Sequence, residues 1–198
     1  MINHTHKFIF IHIPKTGGTS IESFLGRADD YENKHDSLGT ILEKFPYASN
    51  YFKFSVVRNP YDLTVSMYNY MWKSEYDWPK HWRKTSKLAN LSFKQWVHHR
   101  NFKTPTIHSI HINEDGGVQG TQLSFFDNIK LDFICKFENL QEDFNAVCDK
   151  IKIPKQKLPH KNKTKRKHYT EYYDEETKSI VAEKYAKDIE YFGYKFGG

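Results

Sequence analysis

Residues 7–20, KFIFIHIPKTGGTS, constrain the fold of this chain more than any other segment. Residues 7–13 are nearly continuously apolar and β-branched, which is typical of a strand buried on both faces of a parallel sheet. The run ends at Pro14, and we predict a short helix over residues 21–25 with Thr19 and Ser20 as its N-cap residues. A glycine-containing turn between a buried strand and a helix aims backbone N–H groups and the positive helix end at one point. The pattern predicts an anion site, and a purely structural tight turn is the alternative interpretation.

The pattern of strand, loop and helix occurs a second time at residues 52–72. Residues 52–57, FKFSVV, predict a second strand, and Pro60 suits the first turn of a helix that runs to about Trp72. Arg58 then lies at the carboxyl edge of the sheet, where ligands of open α/β folds bind, and Ser66 lies two turns into the helix. A guanidinium fork and a hydroxyl group predict a second anion pocket. The alternative is that Arg58 pairs with a local carboxylate such as Asp62.

The remaining elements continue the alternation of strands and helices. We predict a helix capped by Asp36 or Ser37 that runs through Phe45, and another from Ser92 to about Arg100. The third strand is residues 131–137, followed by a helix over 140–151, and Asp174 caps a last helix that ends at Gly193. Residues 76–90 read as an insert, 113–120 as a turn, and 122–126 as a short element of undecided type. The pattern favours an α/β fold with a mainly parallel central sheet flanked by helices. With 198 residues, a single domain over 1–198 is expected.

The net charge of +6 comes from one segment of the chain. Residues 155–168 contain seven Lys or Arg residues and no acid, whereas acidic residues outnumber basic ones by one in the remainder. One interpretation is a cap over a polyanionic cofactor or an acidic glycan, and the other is a solvated loop with no function. A nucleic-acid-binding domain that uses this loop remains a competing function. It is disfavoured because no zinc, helix-turn-helix or RNA-binding signature occurs.

Several other classes of protein are disfavoured by what the sequence lacks. No apolar run approaches the roughly 18 residues of a membrane span, and the first residues do not resemble a signal peptide, so we expect a soluble, cytoplasmic chain. Cys135 and Cys148 have no metal-ligand spacing and are expected to be buried thiols. Lys15 precedes the glycines, unlike a Walker A lysine, which makes an ATP-dependent kinase a weaker candidate. No apolar run ends in a magnesium-binding Asp, so we expect no metal.

Together the two motifs resemble the sulfotransferases that use 3′-phosphoadenosine-5′-phosphosulfate (PAPS), most closely the carbohydrate-type group with its PKTGGTS-like loop. The resemblance extends to residues 136–140 (KFENL), 158–162 (LPHKN) and 188–194 (DIEYFGY), in the order in which that family carries them. It implies a sulfotransferase fold similar to that of P-loop nucleotide kinases. It also implies a PAPS-dependent enzyme that transfers a sulfuryl group to a hydroxyl, with a carbohydrate as the expected acceptor. PAPS would be a co-substrate and adenosine 3′,5′-bisphosphate (PAP) the product.

The resemblance assigns the two anion sites to the two ends of this nucleotide. The 5′-phosphosulfate loop, residues 14–20, would bind through Lys15, Thr16, Gly17, Gly18, Thr19 and Ser20. The 3′-phosphate motif, residues 56–66, would bind through Arg58 and Ser66, and the basic loop would place Lys165 and Arg166 near the same phosphate. In an in-line transfer, negative charge develops on the bridging oxygen, so a cation there lowers the barrier. Lys15 is our candidate for that role.

The acceptor hydroxyl also needs a base. His35 is our first choice, because it lies in the polar stretch after the first helix, where related sequences tend to carry a histidine. Glu22, one turn past the glycine loop, is the second candidate base. His12 lies inside the first strand and is expected to be a hydrogen-bonded core residue. We expect a nucleotide and a hydroxyl acceptor as partners, with no nucleic acid and no membrane span.

Overall fold

The computed structural model describes residues 1–26, 34–73, 91–98, 121–159 and 166–198. These residues form two compact units. Unit 1 takes its described residues from 1–58 and 121–159, and unit 2 takes its described residues from 59–98 and 166–198. The single domain expected over 1–198 stays a prediction, because compactness alone does not make a unit fold independently.

Unit 1 contains a four-stranded sheet in the order β1-β2-β3-β4. The strands are β1 (Ile2–Asn3), β2 (Phe8–Ile11), β3 (Phe52–Val57) and β4 (Phe133–Lys136). β2, β3 and β4 run parallel, with Phe10 opposite Phe54 and Phe54 opposite Phe133. β1 is antiparallel to β2 and was not predicted, since two residues carry no readable pattern. The α/β class with a mainly parallel sheet flanked by helices is confirmed.

The described residues contain seven α-helices. They are α1 (Gly18–Leu25), α2 (Leu38–Lys44), α3 (Pro60–Lys73), α4 (Phe93–His98), α5 (Leu140–Ile151), α6 (Glu175–Lys184) and α7 (Ala186–Phe192). Of the two candidate caps, Asp36 and Ser37, it is Ser37 that caps α2 by accepting a hydrogen bond from the Thr40 backbone N–H. The structure does not describe the predicted turn at 113–120, the predicted insert at 76–90, or Arg100. Residues 122–126, whose type was left undecided, form a short 3₁₀ helix.

The start of α1 differs from the prediction. Gly17, and not Thr19 or Ser20, is the N-cap residue, and no side chain caps the helix. Gly17 has a φ of +89°, a left-handed conformation that glycine adopts without steric cost. The helix therefore begins at Gly18, three residues earlier than predicted, and the glycine turn leads directly into its first turn.

The core of unit 1 lies between the sheet and α5. Phe10, Phe54 and Val56 pack with Phe144 of the helix, and the Phe10 and Phe54 rings stack with their centroids 5.0 Å apart. Cys135 and Cys148 belong to the same core as free thiols, as predicted, and burial raises the pKa of both. Three parallel strands with these apolar faces therefore fix the carboxyl edge from which the glycine turn and Arg58 follow.

Unit 2 is helical and built on aromatic side chains. Tyr61, Tyr68, Phe93, Trp96 and Tyr185 are buried where α3, α4 and α6 pack together. Asp174 caps α6 by accepting from the Thr177 backbone N–H, and Gly193 ends α7, both as predicted. The single helix predicted between them is wrong: the backbone leaves the helical conformation at Tyr185, so α6 and α7 are separate. None of the described helices is long and apolar enough to span a membrane.

Lys184, at the end of α6, makes the stability of the protein depend on pH. Burial lowers the pKa of its ammonium group from 10.5 to about 8. Between pH 8 and 10 the unfolded chain therefore binds more protons at this position than the folded chain, so the free energy of unfolding rises with pH. We expect Lys184→Met to be the more stable protein at pH 7, with its advantage shrinking by about 1 kcal/mol per pH unit from pH 8 to 10.

Urea unfolding of both proteins at pH 7, 8, 9 and 10 measures this difference. Lys187→Met, on the exposed surface of α7, is the matched control and should leave the pH dependence unchanged. Parallel pH curves for the wild type and Lys184→Met would contradict the prediction.

Candidate active site

The turn at the carboxyl end of β2 has an unusual backbone conformation. Lys15 has a φ of +66°, a left-handed conformation that costs a residue with a side chain about 1 kcal/mol or more. Gly17 follows in the same region of φ and leads into α1. The hydroxyl of Thr16 is buried and donates to the Ile13 carbonyl at 2.9 Å. The hydroxyl proton of Thr16 therefore stabilises the turn.

Arg58, the residue after β3, contacts this turn directly. Its Nη1 donates to the Lys15 carbonyl at 2.8 Å, and its guanidinium lies 3.8 Å from the centroid of the Phe137 ring. The parallel pairing of β2 and β3 brings both residues to the same edge of the sheet. Phe137 also lies against the turn, because a Cβ on Gly17 would be 3.1 Å from its Cδ2. The structure thus brings together Arg58 and the glycine turn, which the family resemblance assigned to one ligand.

The side chain of Gln122 holds the backbone of Arg58 through two hydrogen bonds. Its Oε1 accepts from the Arg58 N–H at 2.8 Å, and its Nε2 donates to the Arg58 carbonyl at 2.9 Å. Gln122 is buried, so these two hydrogen bonds fix the position of the Arg58 backbone, from which the side chain extends. Sequence reasoning missed both Gln122 and the ring platform of Phe137. The KFENL motif contained Phe137 but gave no indication of its partner.

His12, at the end of β2, connects the turn to an ion pair. It is buried, as predicted, and its Nδ1 donates to Glu22 Oε1 at 2.7 Å. The other carboxylate oxygen of Glu22 accepts from Lys34 Nζ at 2.6 Å. A Cβ on Gly18 would be 2.3 Å from the Cδ2 of His12, so the imidazole packs directly against the first residue of α1.

The protonation states follow from burial and pairing. Burial lowers the pKa of His12, although the hydrogen bond to Glu22 and its charge oppose that shift. Burial would raise the pKa of Glu22, but its hydrogen bonds with His12 and Lys34 outweigh burial and hold the pKa below its ordinary value. Glu22 is therefore an ionised carboxylate with both oxygens engaged, which makes it a weak candidate for the base.

His35 lies directly beside His12. Its Nδ1 is 2.7 Å from the His12 carbonyl, and the two rings meet edge to face with centroids 4.7 Å apart. A carbonyl oxygen only accepts, so Nδ1 of His35 carries the proton and the lone pair of the neutral ring is on Nε2. His35 is buried in this position. The hydrogen bond selects the tautomer that a general base with Nε2 needs.

The other predicted site residues belong to unit 2. Ser66 lies in α3 and is partly buried, one helical turn after Asp62. Arg166 Nη2 forms an ion pair with Asp62 Oδ1. Lys165 lies outside the described residues, as does most of the central part of the basic loop. Of the described lysines in that loop, Lys155 pairs with Asp149 and Lys167 with Glu171.

The close packing of Gly18 against His12 predicts a coupled effect of two substitutions. Gly18→Ala would force the imidazole away from the turn, and we expect it to lower the free energy of unfolding by about 2 kcal/mol. His12→Ala, which removes the ring, is the matched second variant. In the double variant the added methyl group meets empty space. Its loss of unfolding free energy should therefore be smaller than the sum of the two single losses by about 1 kcal/mol. Additive effects in urea unfolding would contradict this packing.

Among the described residues, no group of three or more His, Cys, Asp or Glu side chains is arranged to hold a metal ion. Comparisons with known proteins give one match. A search of curated proteins and a search of solved structures found no match. The family model of the sulfotransferases matches residues 1–195, which include the glycine turn, Arg58, Ser66 and the KFENL segment. Because this match covers nearly the whole chain, the predicted resemblance is confirmed, and the chain belongs to the sulfotransferase family.

Proposed function

We propose that this sulfotransferase takes its sulfuryl group from PAPS and transfers it to a hydroxyl group of a carbohydrate. The observation that carries the proposal is the 2.8 Å hydrogen bond from Arg58 to the carbonyl of Lys15. It joins the two predicted anion-binding motifs at one edge of the parallel sheet, where α/β proteins bind their ligands. An Arg58 side chain turned away from the glycine turn would have argued against a shared nucleotide.

The chemistry of the glycine turn suits the 5′-phosphosulfate. The first turn of α1 contains no acidic residue, and its backbone N–H groups begin directly after Gly17. Lys15 would supply the cation, while Gly17, Gly18, Thr19 and Ser20 would supply donors from the backbone and from hydroxyl groups. Hydrogen bonds to a charged group contribute about 1.5 to 3 kcal/mol each. Glu22, the nearest acid along α1, is neutralised by Lys34 and therefore repels the ligand less.

The 3′-phosphate would be bound by Arg58, Ser66, Lys165 and Arg166. Arg58 is buried, its backbone is fixed by Gln122, and its guanidinium contacts the Lys15 carbonyl and the Phe137 ring, so the guanidinium is held in place before a ligand binds. A planar guanidinium matches two phosphate oxygens, which a lysine cannot do. Family membership favours this nucleotide over MgATP, because sulfotransferases transfer a sulfuryl group and not a phosphoryl group.

The proposed reaction is an in-line transfer at sulfur. The acceptor hydroxyl oxygen forms a bond to the sulfur, and the bond between the sulfur and the bridging oxygen of the nucleotide breaks. The hydroxyl proton moves to Nε2 of His35, and the electron pair of the broken bond remains on the departing PAP. Lys15 Nζ stabilises the charge that develops on that bridging oxygen.

His35 is preferred to Glu22 as the base for two reasons. The Nδ1 hydrogen bond to the His12 carbonyl places the ring lone pair on Nε2. An imidazole ordinarily titrates near neutral pH, where a base and its conjugate acid are both effective. The lowered pKa of Glu22 makes its carboxylate a weaker base, and both of its oxygens already accept hydrogen bonds from His12 and Lys34.

Lys15 tests the proposed donor chemistry. We expect Lys15→Ala to lower kcat for labelled sulfuryl transfer from PAPS by about 10²- to 10³-fold for every acceptor, since it removes the charge at the leaving oxygen. Lys7→Ala is a matched control, because Lys7 is also a lysine with positive φ (+50°) and lies on the surface. Full turnover by Lys15→Ala would refute the mechanism.

The same proteins test the choice of nucleotide. PAP should raise the melting temperature of the wild type, whereas MgATP at the same concentration should not. Stabilisation by MgATP alone would favour the kinase alternative. Binding of DNA or RNA with a steep salt dependence, without stabilisation by PAP, would favour the nucleic-acid alternative.

His35 tests the proposed base. His35→Asn can still donate to the His12 carbonyl but cannot accept a proton at the Nε2 position, and His35→Ala loses both properties. We expect both variants to lower kcat by about 10²- to 10⁴-fold while PAP affinity is unchanged. If His35 had only a structural role, the Asn variant would retain activity. If Glu22→Gln abolished transfer while His35→Asn did not, Glu22 would be the base.

A further inference from the structure

Unit 2 contains a partly buried ion pair between the start of α3 and the end of the basic loop. Nη2 of Arg166 pairs with Oδ1 of Asp62, and the two side chains are only 15% and 14% exposed. Taking an arginine and a carboxylate out of water is costly, and such a pair often contributes little to stability. A role in holding the guanidinium in one position would account for it.

The pair satisfies the hydrogen-bonding capacity of only one end of the Arg166 guanidinium. Nη1 of Arg166 is buried and has no hydrogen-bond partner in the part of the chain that the structure describes. A buried polar atom without a partner costs about 1 to 3 kcal/mol, and the cost is higher on a charged group. An oxygen of an anionic ligand is the partner that would best relieve it, because charge-assisted bonds to arginine are the strong ones.

Ser66 lies on the same face of α3 as Asp62. Residues four apart on a helix are neighbours on its surface, so the carboxylate and the hydroxyl lie one turn from each other. Ser66 is partly buried, and α3 is a regular helix through both positions. The helix therefore places a hydroxyl group next to the carboxylate that holds Arg166.

We propose that Asp62 is a positioning residue that holds Arg166 so that Nη1 serves, with Ser66, as a receptor for a phosphate monoester. This inference rests on the proposed function, in which that group is the 3′-phosphate of PAPS. Asp62 thereby contributes to the preference for a nucleotide with a 3′-phosphate, although it does not itself touch the ligand. Asp62 has two opposing effects on the affinity for a phosphate, because its carboxylate orients Arg166 but also repels the phosphate. Orientation outweighs repulsion here, since the pairing with Arg166 neutralises the carboxylate.

The test compares two ligands that differ only in the 3′-phosphate. Calorimetry gives the affinities for PAP and for adenosine 5′-monophosphate, and their ratio isolates the contribution of the 3′ group. We expect Arg166→Met to lower this ratio by about 30-fold and Asp62→Ala by about tenfold. Asp62→Asn retains an oxygen that can accept from Nη2, so it should lose only about threefold. The affinity for adenosine 5′-monophosphate should be unchanged in all three variants.

The decisive measurement is the double variant. In the Arg166→Met background, Asp62→Ala should have no further effect on the ratio, because Asp62 acts through Arg166. Glu175→Gln removes another acid from the first turn of a helix in unit 2 without contacting Arg166, and should leave the ratio unchanged. If Asp62→Ala does not fold, the Asn variant carries the same comparison.

The outcomes separate this inference from the proposed function. A wild type that binds both ligands equally, or neither of them, would refute the proposed function. A wild type that prefers PAP, combined with an unchanged or higher ratio in Asp62→Ala, would refute only the role of Asp62. An effect of Asp62→Ala that persists in the Arg166→Met background would do the same.

Discussion

The contact between Arg58 and the carbonyl of Lys15 is the interaction on which the candidate site depends. Parallel pairing of β2 and β3 brings the two residues to one edge, and the left-handed backbone of Lys15 belongs to the same turn. Gln122 fixes the Arg58 backbone and Phe137 supports its guanidinium. An arginine held at its backbone and at two places on its guanidinium loses little freedom when a ligand binds, so this part of the candidate site is organised in advance.

The sequence predicted the elements with local signatures. β3 and α5 were predicted to the residue, Asp174 was correct as a cap, and Ser37 was one of two predicted caps for α2. These features were readable because apolar periodicity and capping chemistry involve only a few neighbouring residues. The break at Tyr185 was missed, since the apolar period continues through it and only the backbone shows the interruption. The start of α1 was misplaced because Thr19 and Ser20 are good caps, but a glycine with positive φ precedes them.

The site itself was predictable only in part. The glycine turn, Arg58 and His35 were identified from motifs and from resemblance, and their roles remain predictions. Gln122 lies 64 residues from Arg58, and Arg166 lies 104 residues from Asp62. Pairings at such separations leave no pattern in a single sequence, because each side chain on its own resembles an ordinary surface residue. Lys34, which pairs with Glu22, was also missed.

Each unit has an acid near its proposed phosphate site that pairs with a basic side chain, but the two pairings differ. The two carboxylate oxygens of Glu22 accept hydrogen bonds, one from His12 and the other from Lys34. The charge of Lys34 is therefore compensated by a carboxylate of the protein itself. Asp62 engages only one end of Arg166, and the other end, Nη1, keeps its capacity to donate. Glu22 thus supports the geometry around His35, whereas Asp62 leaves a cationic group able to bind an anion. The difference follows from the chemistry of the partners, because a guanidinium can serve two acceptors at opposite ends and an ammonium acts as a single point charge.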